Sequence, residues 1–96
     1  MTQSAFKRLY NAQAEEVKHA LHRILKEYHR AIIKHPNWPT DIVHRAAIVG
    51  EESGELTRAA INNFYEGGAI TLVEQEAIQT AATAIRLIVA QNTLPG

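Results

Sequence analysis

The chain has 96 residues, the size of one small domain, and its ten Lys and Arg residues balance ten Asp and Glu residues. Zero net charge gives no reason to expect nucleic acid or a membrane surface as a partner, and the absence of cysteine excludes disulfides, thiolate metal sites and a cysteine nucleophile. No apolar run approaches the ~20 residues that span a bilayer, and the first residues lack signal-peptide features, so we expect a soluble cytoplasmic protein.

The first predicted element is a long helix from about Thr2 to Lys34, a segment without Pro or Gly. Its apolar side chains recur at alternating steps of four and three residues, as in a seam between packed helices: Tyr10, Ala14, Val17, Leu21, Ile24, Tyr28 and Ala31. A helix of about 30 residues would be ~45 Å long, whereas a compact domain of this size has a radius of gyration of ~12–13 Å. The helix is therefore broken or extends beyond one subunit. We expect the second, in a homodimer or homotetramer.

Two prolines in the segment His35 to Pro39 end this helix, because proline removes backbone donors and disfavours helix in the preceding residue. Thr40 or Asp41 is a suitable N-cap for a second helix from about Asp41 to Tyr65, which Gly67 and Gly68 would end. A third helix should begin at a capping box formed by Thr71 and Glu74 and run to about Gln91. No β-alternation or internal repeat is present. The sequence therefore predicts a single all-α domain over residues 1–96, built from three helices.

An acidic run, Glu51-Glu52-Ser53-Gly54-Glu55, interrupts the apolar pattern of the second helix. Glu52 and Glu55 are three residues apart and so share a helix face, where like charges repel by a few tenths of a kcal/mol. The third helix carries Glu76 and Gln79 at the same spacing. If the second and third helices packed antiparallel about a turn centred near Gly68, Glu76 would lie about two helical turns from Glu52. A crossing angle, an asymmetric loop or a second subunit would then have to bring the two residues together. The alternative is a solvated acidic face.

The run from Gly50 to Leu56 resembles the signature of the MazG-like all-α nucleoside triphosphate pyrophosphohydrolases. Members of this family carry Glu-Glu-x-x-Glu on one helix and Glu-x-x-Asp on the next, and here the second motif reads Glu76-Ala77-Ile78-Gln79. The resemblance covers about residues 40–91. It implies a three-to-four-helix bundle completed by oligomerisation, and cleavage of a nucleoside triphosphate to the monophosphate and pyrophosphate.

The resemblance also implies Mg²⁺ as the cofactor and assigns roles to individual residues. Carboxylate oxygens suit Mg²⁺, which neutralises phosphate oxygens and polarises the phosphorus atom that water attacks. Carried over by position, the metal ligands are Glu52, Glu55, Glu76 and Gln79. The implied catalytic residues are Glu51, Glu52 and Glu55, with Glu51 as a further ligand or as the group that orients the attacking water.

Gln79 departs from the family pattern, because an amide oxygen is neutral where the family has the charged carboxylate of Asp. The missing charge would weaken a second metal site, change the preferred metal, or mark a chain that binds nucleotides without hydrolysing them. Gln79 could still bind a metal through its carbonyl oxygen or hold a water molecule.

Three further residues are candidates for substrate binding. Trp38 could stack on a base, although an aromatic residue in such a loop more often covers the end of the core. His44 could contact phosphate, although a solvated position is the commoner outcome. Arg86 follows Gln79 by seven residues on the same face and could reach a phosphate or a neighbouring carboxylate.

Two other functions remain open at the level of sequence. Glu16 and His19 form a Glu-x-x-His step, which supplies ligands in di-iron carboxylate bundles, but the second such step is absent. A helical adaptor or nucleotide-binding protein without catalysis is also compatible with Gln79 and with the long apolar seam of the first helix.

Overall fold

The computed structural model describes residues 2–92 and contains four α-helices in that range: α1 (Gln3–Asn11), α2 (Glu15–Lys34), α3 (Ile42–Glu66) and α4 (Ile70–Asn92). No strand occurs among these residues, so the all-α prediction is confirmed. Within the same range, no helix is both long and apolar enough to cross a membrane.

The predicted continuous first helix is wrong, because the chain breaks between α1 and α2. α1 ends at Asn11, and Ala14 has an extended backbone (φ −61°, ψ 152°) that cannot continue a helix. The Gln13 side chain donates a hydrogen bond of 2.9 Å to the carbonyl of Leu9, one of the last carbonyls of α1. Two glutamates in the first turn of α2 favour a new helix start, since negative charge is stabilised at a helix N-terminus.

The start and end of α3 follow the predicted signals. Asp41 is the N-cap, and its carboxylate accepts a hydrogen bond of 2.9 Å from the backbone N–H of His44. Gly67 ends the helix with φ 74°, a left-handed conformation that favours glycine. The start of α4 differs slightly from the prediction: the helix begins at Ile70, so Thr71 lies inside its first turn instead of preceding it.

α4 is the central helix, packing against α3 on one side and α2 on the other. The buried apolar side chains in the described range are small: Ala59 on α3 and Ala82 on α4. The radius of gyration is 15.6 Å, above the ~12–13 Å of a compact domain of this length. Many large apolar side chains are consequently exposed, among them Phe64, Tyr65 and Val43, each with about three quarters of its surface accessible (79%, 75% and 74%).

Candidate functional site

Glutamates of the two neighbouring helices form a carboxylate cluster, defined as Glu52 and Glu55 on α3 and Glu76 on α4. Each offers one oxygen, and these oxygens all lie within 4.8 Å of one another. The cluster forms within a single chain. The prediction that placed Glu76 two turns from Glu52 is therefore wrong, and no second subunit is needed to join them. The prediction assumed that the two helices are placed symmetrically about the turn. The short connection, residues 67–69, does not impose this, and the relative position of α3 and α4 along their axes brings the glutamates together.

The cluster contains polar atoms without partners. Among the described residues, Oε2 of Glu52 and Oε2 of Glu76 are buried and have no hydrogen-bond partner. Burial raises the pKa of the Glu52 carboxyl, and the charges of Glu55 and Glu76 raise it further. Burial also raises the pKa of Glu76, followed by the effect of the adjacent Glu55 carboxylate. The carboxylates thus meet at an energetic cost to the folded chain, a cost that a bound cation would relieve.

Beside the cluster lies a cavity of about 320 Å³ between α2, the following loop, α3 and α4. Glu52 lines it, so the cavity and the carboxylate cluster are continuous at that residue. Its charged and polar lining includes Arg30 on α2, and Gln79 and Arg86 on α4. Trp38 of the connecting loop also lines it. A polar, partly enclosed space of this size suits a small charged ligand.

Trp38 and Arg86 contact each other inside this cavity. The guanidinium carbon of Arg86 lies 4.6 Å from the centroid of the Trp38 ring, a cation–π contact. Arg86 also donates a hydrogen bond of 2.6 Å to the carbonyl of His35, and burial lowers its pKa. The Nε1–H of Trp38 is buried and has no partner among the described residues.

The structure places the remaining predicted residues as follows. Gln79 lines the cavity with Glu52, although it is not one of the clustered carboxylates. Glu51 is exposed on α3 next to Glu52, whose pKa its charge also raises. His44 lies outside the cavity lining, exposed at the start of α3, with its Nδ1 3.0 Å from the Asp41 carboxylate. Its role in substrate binding stays a prediction.

The di-iron interpretation gains nothing from the geometry. Within residues 2–92, one group of carboxylate and histidine side chains is close enough to hold a metal, and neither Glu16 nor His19 belongs to it. Both are exposed on α2.

Sequence reasoning missed two residues that line the cavity, Glu27 and Arg30, and it placed Arg45 at a solvated position or on a phosphate, whereas Arg45 is buried. Glu27 lines the cavity and is held by Arg30 through two hydrogen bonds of 2.8 and 2.6 Å, which lower its pKa. The sequence did contain a sign of this ion pair, because opposite charges three residues apart on a helix lie close enough to interact. Arg45 is buried and bonds to the loop that carries Trp38. The sequence sign of its burial was its position three residues from both Ile42 and Ile48, which places it on an apolar face of the helix.

Comparison with family models, with curated proteins and with solved structures found no match to this chain.

Proposed function

We propose that the protein is a Mg²⁺-dependent nucleoside triphosphate pyrophosphohydrolase that converts (d)NTP to (d)NMP and pyrophosphate, with a role in cleansing the nucleotide pool. The observation that carries this proposal is the carboxylate cluster: three glutamate oxygens from two helices, within 4.8 Å of one another, at the edge of a cavity lined by two arginines and a tryptophan. The likeness of the acidic motifs to the MazG-like family supports the choice of reaction.

The donor set fits Mg²⁺. This cation favours oxygen ligands and commonly binds through a few carboxylates together with substrate phosphates. Glu52, Glu55 and Glu76 would hold it, and the unpartnered oxygens of Glu52 and Glu76 would gain a partner. When bound, Mg²⁺ neutralises the phosphate oxygens and makes the α-phosphorus more electrophilic.

The chain's own residues would position the substrate and the attacking water. Water attacks the α-phosphorus, the bond from that phosphorus to the bridging oxygen breaks, and pyrophosphate leaves with the β- and γ-phosphates. Glu51, exposed next to the cluster, is the candidate to orient this water and accept its proton. Arg86 would contact the phosphates from the cavity wall. Because Arg86 lies over the Trp38 ring, a base that stacks on Trp38 would use the other ring face or displace Arg86.

The proposal includes a homodimer or homotetramer as the working form. The described part of the chain buries no large side chain fully and exposes apolar residues from all four helices. Exposed apolar surface on this scale is typical of interaction sites. Light scattering coupled to gel filtration, at several protein concentrations, should give a mass of two or four chains, and a monomer at all concentrations would contradict this part of the proposal.

The test of the reaction is pyrophosphate release from a panel of standard and modified nucleoside triphosphates with Mg²⁺. Pyrophosphate and the monophosphate should appear in equal amounts, and Glu52→Gln should abolish both. Glu66→Gln is the matched control, because Glu66 is exposed at the end of the same helix and lies outside the cluster. Release of inorganic phosphate alone, or of no product from any nucleotide, would contradict the proposal.

Gln79 favours one alternative, a protein that binds nucleoside triphosphates without hydrolysing them. Its neutral amide lines the cavity beside Glu52, where the family has a carboxylate. Calorimetry that shows Mg²⁺-dependent nucleotide binding, together with the absence of pyrophosphate release, would favour this alternative over the enzyme.

A further inference from the structure

Two arginine side chains bind the loop between α2 and α3, residues 35–41, to the neighbouring helices. Near its start, Arg86 of α4 donates a hydrogen bond of 2.6 Å to the carbonyl of His35. Further on, Nε of Arg45 on α3 donates one of 2.6 Å to the carbonyl of Pro39. Pro36 and Pro39 have no backbone N–H, so the loop has fewer donors of its own with which to hold its shape. Two arginine side chains supply the donors instead.

Arg45 is 5% exposed and is the one buried charged residue among the described residues. Its Nη1 donates a further hydrogen bond of 2.6 Å to Oε1 of Gln91 near the end of α4. Within residues 2–92 no carboxylate lies within ion-pair distance of it. Burying a cation against neutral acceptors is costly, and an exposed arginine would avoid that cost. The side chain is therefore placed for the connection that it makes between α3, the loop and α4.

The segment held in this way forms part of the cavity wall. His35, Trp38 and Pro39 all line the cavity that Glu52 enters from α3. Trp38 lies in the sequence between His35 and Pro39, whose carbonyls accept these two hydrogen bonds, and Arg86 also contacts its ring. Arg45 itself does not line the cavity. Any effect of Arg45 on a ligand in the cavity is therefore indirect, through the loop or through α4, and Trp38 reports on the loop.

We propose that Arg45 is a positioning residue which, together with Arg86, holds residues 35–39 as a fixed wall of the cavity and thereby sets its affinity for a nucleoside triphosphate. The identity of the ligand rests on the proposed function. The positioning of the loop does not, because it can be measured in the free protein.

Trp38 is the only tryptophan of the chain, so its fluorescence reports directly on the loop. We expect Arg45→Met, which keeps the length of the side chain but donates no hydrogen bond, to increase the acrylamide quenching constant of Trp38 roughly threefold, as the loop opens locally. Arg45→Lys keeps the charge but lacks the planar fork that reaches two acceptors, so it should give an intermediate value. Arg58→Met is the matched control, an exposed arginine on the same helix, and should leave quenching unchanged.

Ligand binding provides the second measurement. With an α,β-imido deoxynucleoside triphosphate, we expect Arg45→Met to raise the Kd about tenfold, a change of the size expected for the loss of one charged hydrogen bond. The affinity for Mn²⁺ alone should stay within about twofold of wild type, because the carboxylate cluster consists of other residues. In turnover, KM should rise with kcat nearly unchanged. A general loss of structure would instead lower kcat and Mn²⁺ affinity together.

The outcomes separate the two proposals. If Arg45→Met folds by circular dichroism and leaves both Trp38 quenching and nucleotide affinity at wild-type values, the positioning role is overturned. If it does not fold, Arg45→Lys decides by the same two measurements. If the wild type binds no nucleotide, the proposed function fails, and the quenching data still decide whether Arg45 holds the loop.

Discussion

Replacing Glu76 by Gln should stabilise the metal-free protein and weaken its hold on a divalent cation. Two unit charges 4.8 Å apart repel by about 0.9 kcal/mol in bulk water and by about 3.5 kcal/mol at an effective dielectric of about 20. The cluster is only partly buried, so solvent screens part of this repulsion. We therefore expect a gain of about 1 kcal/mol in the free energy of unfolding, or about 4–8 °C in Tm for a chain of this length.

The cation should reverse the order of stability. Removal of one of three carboxylate ligands is expected to weaken Mn²⁺ binding by at least about tenfold, or about 1.4 kcal/mol. In excess Mn²⁺ the wild type gains stability by mass action and should become the more stable protein. The assay is urea unfolding in EDTA and in Mn²⁺, with Mn²⁺ affinity measured from the paramagnetic resonance signal of the free ion.

Glu74→Gln is the control, because it makes the same charge change on α4 outside the cluster. It should leave Mn²⁺ affinity unchanged and should not stabilise the apo protein. If Glu76→Gln lowers the stability of the metal-free protein, or keeps wild-type Mn²⁺ affinity, then Glu76 is a structural carboxylate and the reasoning is refuted.

Three further outcomes are expected. Gln79→Asp adds a carboxylate at the cavity edge and should tighten Mn²⁺ binding by about tenfold in titrations. Unchanged binding would show that residue 79 is not near the ion. The raised pKa values of Glu52 and Glu76 mean that, above the ordinary glutamate value of 4.5, the folded chain holds protons that the unfolded chain has released. Their contribution to metal-free stability therefore falls as pH rises, so the advantage of Glu76→Gln over wild type should be smaller at about pH 5 than at about pH 7 in urea unfolding; a larger advantage at the lower pH would contradict the sign. Gly67→Ala should cost about 1 kcal/mol because φ is 74°. Gly50→Ala, inside α3 where an added Cβ meets no atom within 4 Å, should stabilise by about 0.5–1 kcal/mol, and equal effects in thermal unfolding would count against the αL cap.

The helices and their ends could be predicted largely from local chemistry. The Asp41 cap and the Gly67 stop act over three or four residues, so the sequence displays them directly. The break at residues 12–14 could not be found in the same way, because Ala12, Gln13 and Ala14 are good helix formers and no proline or glycine marks the site. The glutamates that open α2 were the one local sign of a new helix.

The candidate site was predictable in composition but not in assembly. The spacing of Glu52 and Glu55 depends on one helix alone, whereas their distance to Glu76 depends on the register between two helices, which no local pattern specifies. The links made by Arg45 were also out of reach. Its acceptors are the backbone carbonyl of Pro39 and the side chain of Gln91, and no local sequence pattern predicts either contact.

The small size of the two buried alanines, one on α3 and one on α4, has a consequence for which divalent cation the carboxylate cluster would prefer. Ala59 lies four residues after Glu55, and Ala82 six residues after Glu76; both are buried where their side chains take little room. The volume of the side chains between two packed helices sets the distance between their axes, and therefore the distance between carboxylates on the two helices. Mg²⁺ requires oxygens at about 2.0–2.1 Å, whereas Ca²⁺ accepts about 2.3–2.6 Å in looser geometry. A leucine at either alanine would act as a spacer and move the preference of the cluster towards the larger ion.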